Sequence, residues 1–409
     1  MRCQLHLATI AGLCKVALAT SLVVFAMGCE SDNNSNNAGS DQIPLFNGSV
    51  LTMSLSPDGS KDVYVGGDFT TYNGAQANRI VRLNADGTID QAFVPASGFD
   101  ASVRWIAPAA AQSASVYVGG DFTTYNGAQR ARIVRLNGNG TLDQTFNTGT
   151  GFDNTVNVIA PAQDGTGALY VGGAFSAYNG TPANRLVRLN ADGTVDPNFV
   201  TGTGFDNTVF TVVQAADGSG DLYVGGAFTL YKGVEALRIV RLTSTGSINV
   251  AFPTTTGFDN TVRNMALTDD RSGNLYAAGD FTTYKGIRAI GLARLTSGGL
   301  LDLSFVTGVG FNNTVFTVAP AGDATGKLYA GGAFTNYNGT EVNDLVRLNQ
   351  DGTRDFSFAT GAGFNDTVFK VLPVGDASGD VYVGGQFTQY QGILRGRFVR
   401  VASTGALVQ

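Results

Sequence analysis

The strongest constraint on the fold is a tyrosine that returns at one fixed interval along the chain. It stands at Tyr64, Tyr117, Tyr170, Tyr223, Tyr276, Tyr329 and Tyr382, always 53 residues apart and without insertion or deletion. A period of about 50 residues built from short strands is typical of a β-propeller blade. Because one blade cannot bury both its faces, the copies must stack in a ring. The repeat therefore predicts an all-β, seven-bladed β-propeller with four antiparallel strands per 53-residue blade.

Other aromatic residues keep the same register. A second tyrosine recurs in every copy, from Tyr72 to Tyr390, and the two positions together account for all 14 tyrosines. Phenylalanines repeat in the same way, for example at Phe46 and Phe69 of the first copy. A buried aromatic side chain removes about 150–250 Å² from water. Blades that meet the same packing problem will repeat it, so a residue present in all copies indicates scaffold.

The third copy illustrates the predicted strands. We expect the first strand in TVNVIAPA, the second in ALYVGGAF, the third in RLVRLN and the fourth in GTVDPNF. Each segment alternates in polarity or is rich in β-branched residues, and turn residues separate them. We expect each blade to be one continuous repeat, although Gln42–Leu45 could add a strand to the last blade.

The recurring motifs GGxFTxYNG, RLN and DGTxDxxF resemble the delta-60 repeat, a bacterial β-propeller repeat family. The resemblance covers Phe46 to Gln409. More distantly, the glycine pair Gly172-Gly173 with the later Phe199 looks like a kelch blade. The resemblance implies a seven-bladed propeller and says little about mechanism.

The N-terminus predicts export and lipidation. The apolar run Val16–Met27 follows Arg2 and Lys15 and has signal-peptide length. Ala26-Met27-Gly28-Cys29 resembles a bacterial lipobox, which would make Cys29 the lipidated residue; a plain secretory signal or an uncleaved anchor are the alternatives. We expect a signal peptide at 1–28, a lipidated N-terminus and disordered tether at 29–45, and the propeller at 46–409. Glu30 after the cysteine favours the outer membrane by resemblance to sorting signals.

Composition excludes several classes of function. The formal net charge is −6, whereas nucleic-acid binding needs clustered positive charge. The only histidine is His6, so removal of the signal peptide leaves no Ser-His-Asp or Cys-His nucleophile and no imidazole metal cluster. We therefore expect no enzyme, no cofactor, no metal site and no nucleic-acid partner. We further expect a monomer that contacts the membrane only through its lipid.

Three repeated patterns could be mistaken for sites. The glycine pair could cradle phosphate, but no helix follows it, so we expect Gly67 and its equivalents to permit close blade packing or a bulge. Seven arginines share one position, from Arg82 to Arg400, and could bind an anion in a ring. The alternative is cross-strand pairing, with the predicted pairs Arg82–Asp90, Arg135–Asp143, Arg188–Asp196, Arg294–Asp302 and Arg347–Asp355.

Aspartates precede the second strand in six copies, for example Asp58 and Asp164. Calcium would require several oxygens in each loop, whereas one or two carboxylates are present. We therefore favour turn capping by the aspartate side chain, with weak calcium binding as the alternative.

The copies differ most at two adjacent positions early in the first strand. The first position reads Leu51, Arg104, Asn157, Phe210, Arg263, Phe316 and Phe369, and the second reads Thr52, Trp105, Val158, Thr211, Asn264, Thr317 and Lys370. If the first strand is innermost, these residues lie near one mouth of the central channel. We take Arg104, Trp105, Phe210, Arg263, Phe316 and Phe369 as candidate binding residues, with ordinary packing between blades as the alternative.

Three functions fit these observations. The first is a non-enzymatic cell-envelope lipoprotein that binds an unknown protein or polysaccharide partner, on the periplasmic side or the cell surface. The second is a lectin in which Tyr72, Asn73 and their equivalents stack on and bond to a glycan. The third is a carboxylate-based glycosidase, for which the mature chain offers only Glu30, Glu235 and Glu341 as glutamates.

Overall fold

The computed structural model describes residues 45–109, 114–253, 257–323, 325–376 and 378–408. The predicted signal peptide, the lipidation site Cys29 and the tether up to residue 44 lie outside the described residues.

Each repeat forms one antiparallel sheet in which the second strand lies between the first and the third. The first strands are Val50–Leu55, Val103–Pro108, Val156–Pro161, Val209–Gln214, Val262–Leu267, Val315–Pro320 and Val368–Pro373. The second strands are Val63–Gly67, Val116–Gly120, Leu169–Gly173, Leu222–Gly226, Leu275–Gly279, Leu328–Gly332 and Val381–Gly385. The third strands are Ile80–Leu83, Ile133–Leu136, Leu186–Leu189, Ile239–Leu242, Leu292–Leu295, Leu345–Leu348 and Phe398–Val401.

The fourth segment of each blade pairs with the third strand through one bridge, as Leu189 does with Val195. The backbone hydrogen bond from Asp196 N to Arg188 O, at 2.9 Å, extends this contact. The all-β, seven-bladed propeller predicted from the repeat is confirmed, and its outermost strand is short because turn residues flank it.

A small hairpin between the second and third strands was not predicted. It occurs in every blade, as Thr71–Tyr72 with Ala75–Gln76, Thr124–Tyr125 with Ala128–Gln129, Ala177–Tyr178 with Thr181–Pro182, Leu230–Tyr231 with Val234–Glu235, Thr283–Tyr284 with Ile287–Arg288, Asn336–Tyr337 with Thr340–Glu341, and Gln389–Tyr390 with Ile393–Leu394. Two residues in the left-handed region, such as Asn73 at φ 50° and Gly74 at φ 79°, form its turn. The YNG motif is thus a hairpin signal.

The core lies between blades. One cluster joins Tyr117 and Ile133 of the second blade to Phe152, Phe175 and Tyr178 of the third, and comparable clusters occur at the other blade interfaces. The Phe152 ring lies 4.3 Å from the Phe175 ring and 4.6 Å from the Tyr178 ring, between centroids. The repeated aromatic residues are therefore scaffold, as predicted.

The first strands of successive blades pack against one another, and that of blade 7 packs against that of blade 1. These strands therefore surround the central axis. At the closing interface Phe46 N donates to Gly396 O at 3.1 Å, and Leu45 adds a single parallel bridge to Gly396. Among the described residues, all three strands of the last blade's sheet come from the last repeat, so each blade is one continuous repeat.

In the described parts of the chain, no helix is long and apolar enough to cross a membrane.

Candidate functional site

The two glycines of the repeated pair perform different structural tasks. A Cβ on Gly66 would lie 2.5 Å from Cγ1 of Val103 in the next blade, and a Cβ on Gly67 would lie 2.0 Å from the Ser49 carbonyl oxygen of its own blade. Both distances are shorter than side chains tolerate. Of the two tasks predicted for Gly67, the bulge is confirmed, and the close approach between blades takes place at Gly66 instead.

The repeated arginines are held by ion pairs. All five predicted cross-strand pairs form, and Nε–Oδ2 distances of 2.7 Å join Arg135 to Asp143, Arg294 to Asp302 and Arg347 to Asp355. Two blades lack the cross-strand acid, and there Asp221 and Asp380 on the second-strand side approach Arg241 and Arg400 to 2.9 Å. Every repeated guanidinium therefore has a carboxylate partner within its own blade.

The loop aspartates cap their turns as expected. Asp58 Oδ1 accepts from Ser60 N at 3.0 Å, and Asp164, Asp217, Asp270, Asp323 and Asp376 accept from the residue two positions on in the same way. Within the residues that the structure describes, no three His, Cys, Asp or Glu side chains are placed to hold a metal ion.

The lectin hypothesis assigned Tyr72 and its equivalents to sugar stacking, and that assignment is wrong. These seven tyrosines are buried, and each hydroxyl donates to a glycine carbonyl of its own blade, as Tyr178 does to Gly193 O at 2.6 Å. Burial raises the pKa of Tyr72 to about 12. Because these rings are buried, they cannot stack on a glycan.

The first variable position is a β-bulge. In blade 1 Val50 pairs with Gly67 and Thr52 pairs with Gly66, which leaves Leu51 outside the ladder, and all seven first strands skip the same position. A bulged residue is re-aimed relative to its neighbours. Because the first strands are innermost, these seven residues lie at the same end of the channel, which we call the mouth.

Four mouth residues from blades 4 to 7 form a continuous run, which we call the mouth cluster: Phe210, Arg263, Phe316 and Phe369. The Arg263 guanidinium lies 5.7 Å from the Phe210 ring centroid and 5.1 Å from that of Phe316. Phe316 meets Phe369 edge to face at 5.4 Å. The three phenylalanines are half-buried, so the cluster retains solvent-accessible apolar surface.

Asp280 fixes the cation of the mouth cluster. Arg263 Nε donates to its Oδ1 at 2.8 Å, and Nη2 lies 2.7 Å from its Oδ2. Thr314 of the next blade donates to the same carboxylate at 2.8 Å. A bidentate pair of this kind fixes the guanidinium plane between the aromatic rings.

Arg104 lies at the mouth but outside the cluster. Its Nε donates to Asp121 Oδ2 at 2.6 Å, and 44% of its side chain is exposed. The two mouth arginines thus occur in blades whose second glycine is followed by aspartate. That coincidence was visible in the sequence, and it is the signal that would have identified Asp121 and Asp280 as part of the site.

The second variable position is mostly packing. Thr52, Val158, Thr211 and Thr317 are buried. Asn264 Oδ1 accepts from Val318 N of the next blade at 2.9 Å, so it joins blades too. Trp105, a predicted mouth residue, likewise packs against the cores of neighbouring blades and does not belong to the mouth cluster.

Lys370 also lies at this second position and was missed among the candidates. Its Nζ lies 5.0 Å from the Trp105 ring centroid, although blade 1 separates their two blades. Burial lowers the pKa of Lys370 to about 8. The Lys370 side chain therefore reaches past blade 1 to blade 2.

A separate cleft lies away from the mouth. It has a volume of about 500 Å³ and is lined by residues including Arg294, Lys327 and Asp351. Lys327 follows the first strand of its blade, so this cleft lies at the opposite end of the blade from the mouth.

Comparison with known families and structures now adds to this geometry. The family model described as "Domain of unknown function (DUF5122) beta-propeller" matches residues 57–93, 115–146, 165–199, 218–252, 271–305, 324–358 and 377–407. The chain belongs to this family. No curated protein sequence matches this DUF5122 propeller.

Solved structures share the fold of this DUF5122 propeller. A chain of a mitotic checkpoint complex is 13% identical with a TM-score of 0.50, over 88% of this chain and 96% of that one. The GH74 enzyme of Niastella koreensis is 16% identical with a TM-score of 0.51, over 88% of this chain and 53% of that one. The WD40 β-propeller domain of Doa1 is 12% identical with a TM-score of 0.49, over 88% and 94%. At these identities the likeness concerns the fold alone.

Proposed function

We propose that this protein is a non-enzymatic, monomeric lipoprotein of the bacterial cell envelope, whose propeller binds a partner protein at the mouth. The observation that carries the proposal is the mouth cluster. Its phenylalanines differ from the repeated ones because they are not enclosed between blades. A kinship with the delta-60 repeats, based on the GGxFTxYNG motif, is part of the same proposal.

The chemistry of the mouth cluster favours a protein over a polysaccharide. Aromatic and arginine side chains dominate the energetics of protein interfaces when they lie together in a centre that binding can desolvate. Arg263 is already oriented by Asp280, so it would lose little conformational freedom on binding. The tyrosines assigned to sugar binding are buried, which removes the main support for a lectin.

A catalytic role has little support in the residues. A general base near neutral pH is ordinarily a histidine, and the only one is His6, inside the predicted signal peptide. Of the aspartates that follow the glycine pair, Asp121 and Asp280 are each engaged by an arginine, and Asp68 accepts a hydrogen bond from Ser102. The fold likeness to the GH74 enzyme carries no residue across at 16% identity.

Affinity capture from envelope extracts tests the proposed surface. Phe316→Ser and Arg263→Ala alter the mouth cluster. Phe356→Ser and Arg354→Ala are matched controls, because Phe356 is 78% exposed on the outer edge of blade 6, with the Arg354 guanidinium 5.3 Å from its ring centroid. We expect one protein to be retained by the wild type and both controls and lost from both mouth variants. Retention by all four variants, or capture of a polysaccharide instead, would contradict the proposal.

The lipid anchor is tested separately. We expect a radioactive fatty acid to label the wild-type protein and the label to disappear in Cys29→Ser. Fractionation of the labelled cells should place the protein in the outer membrane, as the residue after the cysteine, Glu30, suggests. Equal labelling of the variant would show that Cys29 is not the lipidated residue.

A further inference from the structure

A second repeated arginine position, missed in the sequence analysis, holds arginine in five of the seven blades. Arg79, Arg132, Arg185, Arg238 and Arg397 share one position just before the third strand, where blade 5 has Gly291 and blade 6 has Asp344. All seven residues adopt a left-handed backbone, with φ between 66° and 75°. The backbone is therefore the same in every blade, and only the side chain changes.

In blades 1 to 4 the arginine fills the space beside the segment that follows the glycine pair. Arg185 Nη1 donates to Ala174 O at 2.7 Å and to Phe175 O at 2.9 Å. Arg79, Arg132 and Arg238 donate to the carbonyls of Asp68, Asp121 and Ala227. The guanidinium thus satisfies a main-chain acceptor that the sheet leaves free.

Blade 5 presents the same acceptor without a donor. Gly291 N donates to Phe281 O at 2.9 Å, as in the other blades, but the Asp280 carbonyl receives no hydrogen bond within the described part of the chain. A cleft of about 160 Å³ lies beside it, lined by residues that include Asp280, Phe281, Ile290, Gly291 and Phe311. One water occupies about 30 Å³ in the liquid, so the cleft can hold a group of several heavy atoms.

We propose that the blade-5 cleft binds a guanidinium group supplied from outside the chain, such as an arginine side chain of a partner. Blades 1 to 4 show the recognition that the cleft would repeat: a planar cation donating to the carbonyl after the glycine pair. In blade 7 Arg397 donates instead to Phe46 O of blade 1. The site does not depend on the proposed partner protein, because a free guanidinium compound would bind to it as well.

The test is a titration of the full chain with methylguanidinium, followed by amide ¹H–¹⁵N NMR. We expect saturable shifts in the millimolar range at Gly279–Thr282 and Ile290–Gly291. In Gly291→Arg the cleft is filled as in blades 1 to 4, so these shifts should disappear. Gly291→Ala adds only a Cβ and leaves most of the cleft open, so it should retain binding and separates filling from backbone strain.

Methylurea is the matched control ligand, since it has a similar shape and no charge. We expect it to bind about tenfold more weakly, the ratio that ~1.4 kcal/mol of lost charge-assisted hydrogen bonding produces. Equal responses to the two ligands, equal responses of wild type and Gly291→Arg, or shifts confined to other regions would overturn the proposal. If Gly291→Arg does not fold, the ligand comparison on the wild type still decides.

Discussion

The repeated positions and the bulged positions of this propeller follow opposite rules. At the repeated positions each side chain makes the same contact in every blade, as the Tyr178 hydroxyl does with the Gly193 carbonyl. At the bulged positions the partners differ from blade to blade, and contacts such as that between Arg263 and Phe316 are made around the channel. Repetition therefore marks packing in this molecule, and the departures from it mark the surfaces that remain for binding.

The largest expected effect is the difference in stability between two phenylalanine truncations, one in the core and one at the mouth. Phe122→Ala removes a fully buried ring that lies 4.3 Å from Phe99, and we expect it to lower the free energy of unfolding by about 3–5 kcal/mol. Phe316→Ala at the half-buried mouth should cost about 1 kcal/mol or less, because less area leaves water there. Urea unfolding of both variants measures the difference. Equal losses of unfolding free energy would mean that Phe316 belongs to the core as Phe122 does.

The next largest effect on stability is expected in blade 4, where the acid that pairs with Arg241 lies on the second-strand side instead of across the third strand. Asp221 replaces the missing cross-strand acid. It lies 2.9 Å from Arg241 and accepts from Asn249 Nδ2 at 2.7 Å, while Asp217 also pairs with Arg241. Asp221→Asn should therefore cost about 2 kcal/mol, the scale of the hydrogen bonds that this buried charged group accepts. Its matched control is Asp62→Asn in blade 1, where Asp62 is 3.8 Å from Arg82 and Asp90 remains as the partner. We expect little change there. Equal losses on urea unfolding would contradict the account of compensation.

Blade 6 gives a pH-dependent effect. Asp344 occupies the position of the second arginine set and is buried, and desolvation together with the nearby Asp366 raises its pKa to about 7. The unfolded chain releases this proton near pH 4 and the folded chain near pH 7, so stability is lost as the pH rises between them.

Asp344→Asn should therefore stabilise the protein at pH 8 by at least about 1.4 kcal/mol, the value of one pKa unit, and have a smaller effect at pH 4. Asp351→Asn, at an exposed turn, is the control. Thermal unfolding at both pH values checks the difference, and a gain that is equal at pH 4 and pH 8 would refute the assignment to ionisation.

The smallest effect on stability is expected at the mouth cation. Arg263 is 32% exposed and Asp280 is 18% exposed, and partly exposed pairs contribute about 1 kcal/mol or less. Arg263→Ala should therefore unfold at nearly the same temperature as the wild type. A large drop in the unfolding temperature would give Arg263 a structural role and would weaken its assignment to binding.

Much of the fold could be predicted from the sequence, because the repeat period, the aromatic positions and the turn residues depend on the geometry of a single blade. The Arg–Asp pairs were predictable for the same reason, since a hairpin of known loop length places Arg82 opposite Asp90. The position of the bulge in the first strand was harder to predict, because a ladder that skips one residue shifts every later side chain to the other face. Trp105 was consequently assigned to the mouth, although it packs against neighbouring blades.

Features that depend on comparing blades in space were harder to predict. Asp280 is 17 residues from Arg263 in sequence. The sequence shows only that the two residues occur in the same blade, whereas the sheet shows that they pair. The blade-5 cleft arises from a side chain that is missing at Gly291. In the sequence Gly291 looks like one more turn glycine. Only the arginines at the same position of other blades show that a side chain is missing there.

The central proposal is that the mouth cluster, and not the outer edge, contacts a partner in the cell envelope. The most direct measurement places a photo-reactive phenylalanine at position 316 or at position 356 in living cells and identifies the cross-linked protein after irradiation. The account predicts one discrete adduct from position 316 and none from position 356, which is 78% exposed on the outer edge. No adduct from position 316, or the same adduct from both positions, would contradict it.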